Sequence, residues 1–289
     1  MQTTLSSGRR TVIIGDDQPT RLIGERINPT GRKKLTAALL AGDLEMVRQE
    51  AAAQVAAGAD IIDVNVGAAG VDDVALLPRA VAAVMDTVDA PISIDTANPV
   101  ALRAALTVYR DKSGGKGKAL INSMNGEEKS LNAVLPLAAE FGAAVICLTM
   151  DDRGIPTDDP GRRVDIARNL IARAEAMGVP RENLLIDCLA MTVGADQRAG
   201  AITLEAIRRV RDELGMNMTL GASNVSFGLP ERETINRAFL PLVLMAGVNC
   251  PIVNVAKVRD VILATDLLLG KDEFAMNYIQ YCRSHPAGA

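Results

Sequence analysis

The sequence is poor in aromatic residues and in histidine, and both shortages narrow what the chain can do. Aromatic residues make up 2% of the 289 residues, and tryptophan is absent. Ala, Val, Ile and Leu must therefore fill the core, which suits helices packed closely on a parallel sheet. The single histidine, His285, lies in the terminal SHPAGA segment. This count leaves almost no room for a histidine metal site, a histidine general base or a histidine-liganded cofactor, and we expect no metal ligands in the chain.

Cysteine pairs, basic runs and long apolar stretches are also missing. Cys147, Cys188, Cys250 and Cys282 form no CxxC pair, so we interpret them as small hydrophobic residues in a reduced environment. The net charge is −4 and no basic run stands out, which argues against nucleic acid as a partner. No apolar stretch approaches the roughly 20 residues that span a bilayer, and the first residues lack a signal-peptide core. We expect a soluble, cytoplasmic protein with no membrane partner.

What the sequence does contain is a regular alternation of two kinds of segment. Ala- and Leu-rich helical patterns separate eight short β-branched runs, each typical of a buried strand. These runs lie at 22–25, 60–66, 91–95, 118–123, 143–150, 184–189, 218–224 and 250–255. Eight strand–helix units in 289 residues predict a single (β/α)8 TIM barrel of the α/β class rather than an open sheet.

No linker or shift in composition divides the chain, so we predict one barrel domain over residues 1–289. The TVII run at 11–14 predicts a strand of a short N-terminal hairpin, within residues 1–20, that closes the bottom of the barrel. Residues 283–289 are expected to form a flexible tail.

Polar residues follow every predicted strand. The segments are GERINPTG, DVNVG, DTAN, NSMNG, TMDDRG, DCLAMT, SNVSFG and NVAK, in chain order. In a (β/α)8 barrel these strand ends converge on one face, where active sites are built. Some of these residues fit a helix cap as well as a site, since Asp and Asn are favoured N-caps. Asn98, Asp72 and Asp73 leave both interpretations open.

Asp95, Asn122 and Asp187 fit a cap less well, because each lies inside or at the tip of an apolar strand. A carboxylate at such a position is desolvated unless a donor pairs with it, and no Lys or Arg closely follows Asp95 or Asp187. A ligand rich in N–H donors would satisfy them. The pyrimidine edge of a pterin offers such donors, and two carboxylates with one carboxamide can pair that edge.

The motifs GERINPTG, DVNVG, DTAN, INSMN, LTMDDRGIP, LLIDCL and LGASNVSFGLP together resemble the pterin-binding barrel of methyltetrahydrofolate:corrinoid methyltransferases. This group includes the folate domain of cobalamin-dependent methionine synthase, and dihydropteroate synthase is a more distant relative. The similarity runs from about Leu22 to about Gly270. It implies methyl transfer between N5 of tetrahydrofolate, or 5-methyltetrahydrofolate, and the cobalt of a corrinoid. Since the chain has no D-x-H-x-x-G loop, the corrinoid (cobalamin) must be carried by a separate protein.

The resemblance also implies roles for particular residues and a homodimeric assembly. Asp95, Asn122 and Asp187 would hold the pterin edge. Asn224 would face N5 as the catalytic residue, on a loop shaped by Gly221 and Ser223. Secondary contacts at the barrel mouth would come from Glu25, Asn28, Asp63, Asn65, Phe227 and Arg232.

Two departures from the related families matter. Phe227 stands where acetogen-type enzymes typically have Gln, so a polar contact is lost. The last strand ends in NVAK, without the Ser-x-Arg-His that dihydropteroate synthases use.

The alternative functions are a dihydropteroate-synthase-like condensation of pterin and aminobenzoate, a non-catalytic folate-binding subunit, or a barrel acting on another small metabolite. The sequence leaves open the direction of methyl transfer, the upstream donor or downstream acceptor, the corrinoid partner, and the roles of Arg232 and Lys257.

Overall fold

Eight parallel strands form a closed ring in the computed structural model, which describes residues 1–285. The first seven strands each pair with the next along the chain, and the eighth pairs with the first. A parallel bridge between Gly221 and Ile252 joins the last two strands. The strands are β3 (Ile23–Ile27), β4 (Ile61–Val64), β5 (Ile92–Asp95), β6 (Leu120–Met124), β7 (Ala144–Leu148), β8 (Leu184–Asp187), β9 (Asn217–Thr219) and β10 (Ile252–Val253). The predicted (β/α)8 barrel is confirmed.

Helices connect the strands and cover the outside of the ring. They are α1 (Lys33–Leu40), α2 (Glu45–Ala56), α3 (Asp73–Thr87), α4 (Pro99–Lys112), α5 (Glu128–Phe141), α6 (Pro160–Ala176), α7 (Ala199–Leu214), α8 (Arg232–Ala246), α9 (Val255–Leu268) and α10 (Met276–Ser284). Asp72 and Asn98 accept hydrogen bonds from backbone N–H groups in the first turns of α3 and α4. For these two residues the cap interpretation is therefore correct. Within residues 1–285, no helix has the length and apolar character to cross a bilayer.

An antiparallel hairpin lies under the barrel. It consists of β1 (Thr3–Ser6) and β2 (Thr11–Ile14). Its buried side chains pack against residues from the first half of the barrel strands, namely Ile23, Ile61, Leu120, Ala144, Ile146, Leu185, Cys250 and Ile252. Of the predicted tail, Arg283 and Ser284 belong to α10, and residues 286–289 lie outside the described part of the chain.

Side chains inside the barrel change from apolar to polar along the strand direction. In β4, Ile61 lies in the apolar cluster above the hairpin, and Asp63 shares its face because side chains alternate along a strand. The register places Asp63 opposite Ser93, and Asp95 opposite Asn122. We call the resulting group at the carboxyl ends of the strands the polar layer. It comprises Glu25, Asp63, Asn65, Ser93, Asp95, Asn122 and Asp187.

Candidate active site

Asp63 is the most deeply buried carboxyl group of the polar layer, at 1% exposure. Its Oδ1 accepts hydrogen bonds from Ser93 Oγ at 2.6 Å and from Asn122 Nδ2 at 3.1 Å. Its Oδ2 has no hydrogen-bond partner among residues 1–285. Burial, and then the charge of Asp95, raise the pKa of Asp63 well above its usual range. A buried carboxylate oxygen without a donor is costly, so a ligand that supplies a donor would stabilise this site.

Asp95 and Glu25 extend this group of acids towards the barrel mouth. Asn65 Nδ2 donates to Asp95 Oδ2 at 2.8 Å, and burial raises the pKa of Asp95. Burial and the charge of Asp95 also raise the pKa of Glu25, which accepts a long hydrogen bond from Asn28 Nδ2 at 3.5 Å. The three carboxyl groups therefore oppose one another's ionisation. Even so, no group of three or more His, Cys, Asp or Glu in the described residues is arranged to hold a metal ion.

Asp187, at the end of β8, is held by two backbone N–H groups. Leu189 N donates to Oδ1 at 2.7 Å, and Gly221 N donates to Oδ2 at 3.3 Å. Leu189 adopts a left-handed backbone with a φ of 59°, which is rare for a residue with a side chain. Burial raises the pKa of Asp187 to about 6 despite these two bonds. Its charge state therefore changes within a range of pH that is easy to study.

Asn224 lies at the edge of the mouth, in a short 3-10 segment at Ala222–Ser226. Its side chain is exposed, and no hydrogen bond from the described residues engages its carboxamide. A Cβ on Gly221 would stand 3.1 Å from Asn224 Nδ2, closer than side chains normally pack. Glycine at 221 thus leaves room for the Asn224 amide, which is free to bond a ligand.

Arg232 holds the Asn224 segment from outside the barrel. Its Nη2 donates to the Ser223 carbonyl at 2.8 Å, and its Nε donates to Ser226 Oγ at 3.1 Å. Its guanidinium also lies over the Phe227 ring, 5.7 Å from the centroid. That ring is 66% exposed, so Phe227 belongs to the rim of the mouth and not to its interior.

Two cavities flank the polar layer on opposite sides of the ring. The first, of 320 Å³, lies beside the ends of β5 and β6 and is lined in part by Thr96, Ser123, Asn125, Lys129 and Leu148. The second, of 390 Å³, lies beside β3, β9 and β10 and is lined in part by Glu25, Arg26, Ser223, Arg232, Asn254 and Lys257. In the ring order, β5 and β6 stand across the barrel from β9 and β10. The second cavity is lined by three basic side chains, Arg26, Arg232 and Lys257, and by two acids, Glu25 and Glu233.

The structure brings Asp95, Asn122 and Asp187 into one layer. The carboxyl group that lacks a hydrogen-bond donor at one oxygen, however, is not one of those that the sequence indicated. We expected unpaired carboxylates at Asp95 and Asp187, yet both have protein donors, and among residues 1–285 the fully buried carboxylate oxygen without a partner belongs to Asp63. Ser93 was not anticipated, although its position two residues before Asp95 puts it on the same inward face. Arg163, a buried arginine behind Asp187, was also missed.

This fold and this layer of acids and amides agree with the comparison to known protein families. Residues 24–254 match the family described as pterin binding enzyme. The chain therefore belongs to the pterin-binding enzyme family.

Individual relatives show which members of this family the chain resembles. The methionine synthase of Mycobacterium tuberculosis (strain ATCC 25618 / H37Rv) is 32% identical over 268 residues, which cover 88% of this chain but only 22% of that protein. A methylcorrinoid:tetrahydrofolate methyltransferase of Eubacterium limosum is 28% identical over 278 residues, covering 92% of this chain and 97% of the relative. The chain thus corresponds to a small part of the first protein and to nearly the whole of the second.

Solved structures of dihydropteroate synthases share the fold. The 7,8-dihydropteroate synthase from Vibrio fischeri ES114 aligns with a TM-score of 0.70 at 17% identity, covering 93% of this chain and 99% of that one. The enzyme from Xanthomonas albilineans with 4-aminobenzoic acid aligns with a TM-score of 0.67 at 20% identity, covering 93% and 98%. At these identities the likeness concerns the fold alone.

Proposed function

We propose that this chain is a methyltransferase that moves a methyl group between N5 of tetrahydrofolate and the cobalt of a corrinoid carried by a separate protein. The observation that carries this proposal is the polar layer, where acids and amides from β4, β5, β6 and β8 face the mouth and the Asn224 amide lies free at its edge. The relative from Eubacterium limosum, which matches over nearly its whole length, supports methyl transfer over other pterin chemistry.

Asp95, Asn122 and Asp187 bind the pyrimidine edge of the pterin. Because Asn122 Nδ2 donates to Asp63, the Asn122 carbonyl oxygen is left to accept a hydrogen bond from the ligand. Burial raises the pKa of four carboxyl groups in the polar layer, so their ionised forms are unfavourable without a ligand. The N–H groups of the pterin ring supply hydrogen-bond donors to this layer. A hydrogen bond from an N–H group to an ionised carboxylate is charge-assisted, and it is strong where water is excluded.

Asn224 acts at N5, where charge develops as the nitrogen–methyl bond forms or breaks. A carboxamide does not readily give up a proton, so Asn224 stabilises a protonated N5 by a hydrogen bond that strengthens in the transition state. When the methyl group leaves N5, the proton comes from solvent or through a water held by the mouth carboxylates; when N5 is methylated, its proton leaves by the same route. Binding the pterin in a fixed orientation also holds N5 in line with the cobalt of the incoming partner.

The position of the pterin edge determines where the rest of the folate goes. With the edge bound by Asp95 on β5, Asn122 on β6 and Asp187 on β8, the aminobenzoyl-glutamate arm extends towards the remaining wall of the mouth, beside β9, β10 and β3. There the second cavity is lined by Arg26, Arg232 and Lys257, whose positive charges would attract the carboxylates of this arm. Each of the three also has a partner within the chain: Arg26 pairs with Glu50, Arg232 bonds Ser223 and Ser226, and Lys257 pairs with Glu233. This assignment gives Arg232 and Lys257 a role in binding the anionic end of folate.

The assembly is part of the proposal. We infer a cytoplasmic homodimer that meets a separate corrinoid protein at the barrel mouth. Leu268 and Phe274 are 86% and 85% exposed, and Met276 beside them is also exposed. These side chains are near one another in the sequence, and large exposed apolar side chains often mark a contact between proteins, so this region supports a contact with a second copy.

Anaerobic calorimetry followed by a cobalt absorbance assay tests the function. The protein should bind tetrahydrofolate with a micromolar or smaller Kd, and should transfer a methyl group from methylcobalamin to it. Folate binding without any cobalt-dependent turnover would favour a non-catalytic subunit. Formation of pteroate from a pterin pyrophosphate and aminobenzoate would favour the condensation reaction. No heat with any reduced folate would contradict the proposal.

A further inference from the structure

One buried arginine lies behind Asp187 and bonds no side chain of the polar layer. Arg163, near the start of α6, is 0% exposed, and Ala167 and Leu170 on the same helix face are also buried. Its hydrogen bonds go to backbone carbonyls and one hydroxyl, not to a carboxylate. Its Nη2 has no partner among residues 1–285. Burying a guanidinium with an unused donor costs free energy, which indicates that Arg163 does more than fill the core.

Arg163 ties together the segments that follow two neighbouring strands. Its Nε donates to the Pro156 carbonyl, after β7, at 2.8 Å. Its Nη1 donates to the carbonyls of Cys188 and Leu189, after β8, at 2.7 and 3.0 Å, and lies 3.4 Å from Thr203 Oγ on α7. The guanidinium therefore fixes both carbonyls around the left-handed Leu189.

The peptide between Cys188 and Leu189 connects Arg163 to the site. Its carbonyl oxygen accepts from Arg163, and its N–H donates to Asp187 Oδ1 at 2.7 Å. A hydrogen bond to a charged donor at one end of a peptide polarises the group and strengthens the bond at the other end. A left-handed conformation is also unfavourable for a non-glycine residue, so Leu189 needs such an anchor.

We propose that Arg163 is a positioning residue for Asp187: acting through the Cys188–Leu189 peptide, it holds the carboxylate in the orientation and the ionised state that accept the pterin N–H donors. This inference rests on the proposed function, because it takes Asp187 as a pterin ligand. The direction of the electrostatic effect agrees, since the positive charge of Arg163 works against the burial that raises the pKa of Asp187. Cys188 is the other titratable group beside Asp187, and burial raises the pKa of its thiol, so the thiol stays neutral.

The experiment follows the Asp187 carboxyl carbon by ¹³C NMR in the ligand-free protein, with Asp187→Asn to assign the signal. The wild-type signal should titrate near pH 6. In Arg163→Gln the midpoint should rise by about one pH unit, because an opposite charge is lost nearby. Arg163→Lys keeps the charge and should restore most of the wild-type midpoint. An unchanged midpoint in a folded Arg163→Gln protein would overturn the inference.

Tetrahydrofolate affinity supplies the second readout. Arg163→Gln should raise the Kd about tenfold at neutral pH, as expected for a charged hydrogen-bond network that is lost. Arg163→Lys should raise it by a smaller factor with little change in pH profile, because a compact ammonium cannot reproduce the planar guanidinium that reaches Pro156 as well as both carbonyls. The matched control is Arg162→Gln on the same helix, since Arg162 donates to Asp151 at 2.6 Å and leaves the β8 segment untouched.

The outcomes separate this inference from the proposed function. If no variant binds folate and the wild type does not either, the proposed function fails, while the NMR titration still decides whether Arg163 controls Asp187. Should Arg163→Gln not fold, Arg163→Lys decides by its affinity. A Kd for Arg163→Lys equal to that of the wild type would then overturn the inference.

Discussion

Replacing Asp187 with Asn removes a buried charge while keeping the shape of the side chain. Burial raises the pKa of Asp187 from 3.8 to about 6, and one pKa unit corresponds to about 1.4 kcal/mol. At neutral pH the ionised group therefore lowers the free energy of unfolding by roughly 3 kcal/mol. Because the pKa of Asp187 is raised in the folded state, the penalty is absent below pH 3.8, where the group is protonated in both states. The free energy of unfolding falls as the pH rises from 3.8 towards 6.

Asparagine removes the charge but cannot satisfy both backbone donors. The N–H groups of Leu189 and Gly221 each bond one Asp187 oxygen, and Asn offers only one oxygen. The lost hydrogen bond costs about 1 kcal/mol, so the net gain near pH 7 should be about 2 kcal/mol. Near pH 4 the variant should be slightly less stable than the wild type, because little charge is relieved there.

Urea unfolding of the ligand-free proteins across this pH range measures the effect. The control is Asp165→Asn on α6, where the side chain is 74% exposed and pairs with Arg168; it should show no comparable change with pH. Tetrahydrofolate binding by Asp187→Asn should weaken at least tenfold, because an acceptor of the pterin edge is replaced. An Asp187→Asn protein that is less stable than the wild type by the same amount at every pH would refute the reasoning.

Three further predictions concern binding and assembly. Asp95→Ala should weaken tetrahydrofolate binding by roughly 1.5–3 kcal/mol in calorimetry; normal affinity would mean that Asp95 is structural. Lys257→Ala should weaken binding of a polyglutamated folate by a few-fold, as for an exposed ion pair, and affect the monoglutamate less; equal losses would exclude a role in binding the tail. Light scattering should show a dimer, and a monomer over a wide concentration range would contradict the assembly.

Much of the barrel could be predicted because its signals are local. Each apolar run, such as 184–189, ends in a polar residue, and the parallel topology brings all such ends to one face. Three residues from three separate runs, Asp95, Asn122 and Asp187, therefore reach one layer in the structure. The helix caps at Asp72 and Asn98 stayed open in the sequence because a cap and a ligand use the same residue types.

The hydrogen-bond partners within the site depend on contacts that sequence spacing does not encode. Which acid lacks a partner is decided by the strand register, which directs Ser93 and Asn122 to Asp63 and Asn65 to Asp95. The sequence could have indicated Arg163, because it places a charged residue on the buried face of α6. Its partners, however, come from segments after β7 and β8 and from α7, and only the folded chain brings these together.

In the proposed mechanism Asn224 assists methyl transfer at N5 and does not merely anchor the pterin. Its exposed carboxamide has no partner in the described residues, so Asn224→Ala should leave the fold intact. The decisive measurement is the rate of methyl transfer from methylcobalamin to tetrahydrofolate, followed by cobalt absorbance, beside the folate Kd of the same proteins. The wild type should turn over, and Asn224→Ala should be slower by about 10²–10³-fold with a much smaller change in Kd. An unchanged rate, or a rate that falls only in proportion to binding, would contradict this role of Asn224.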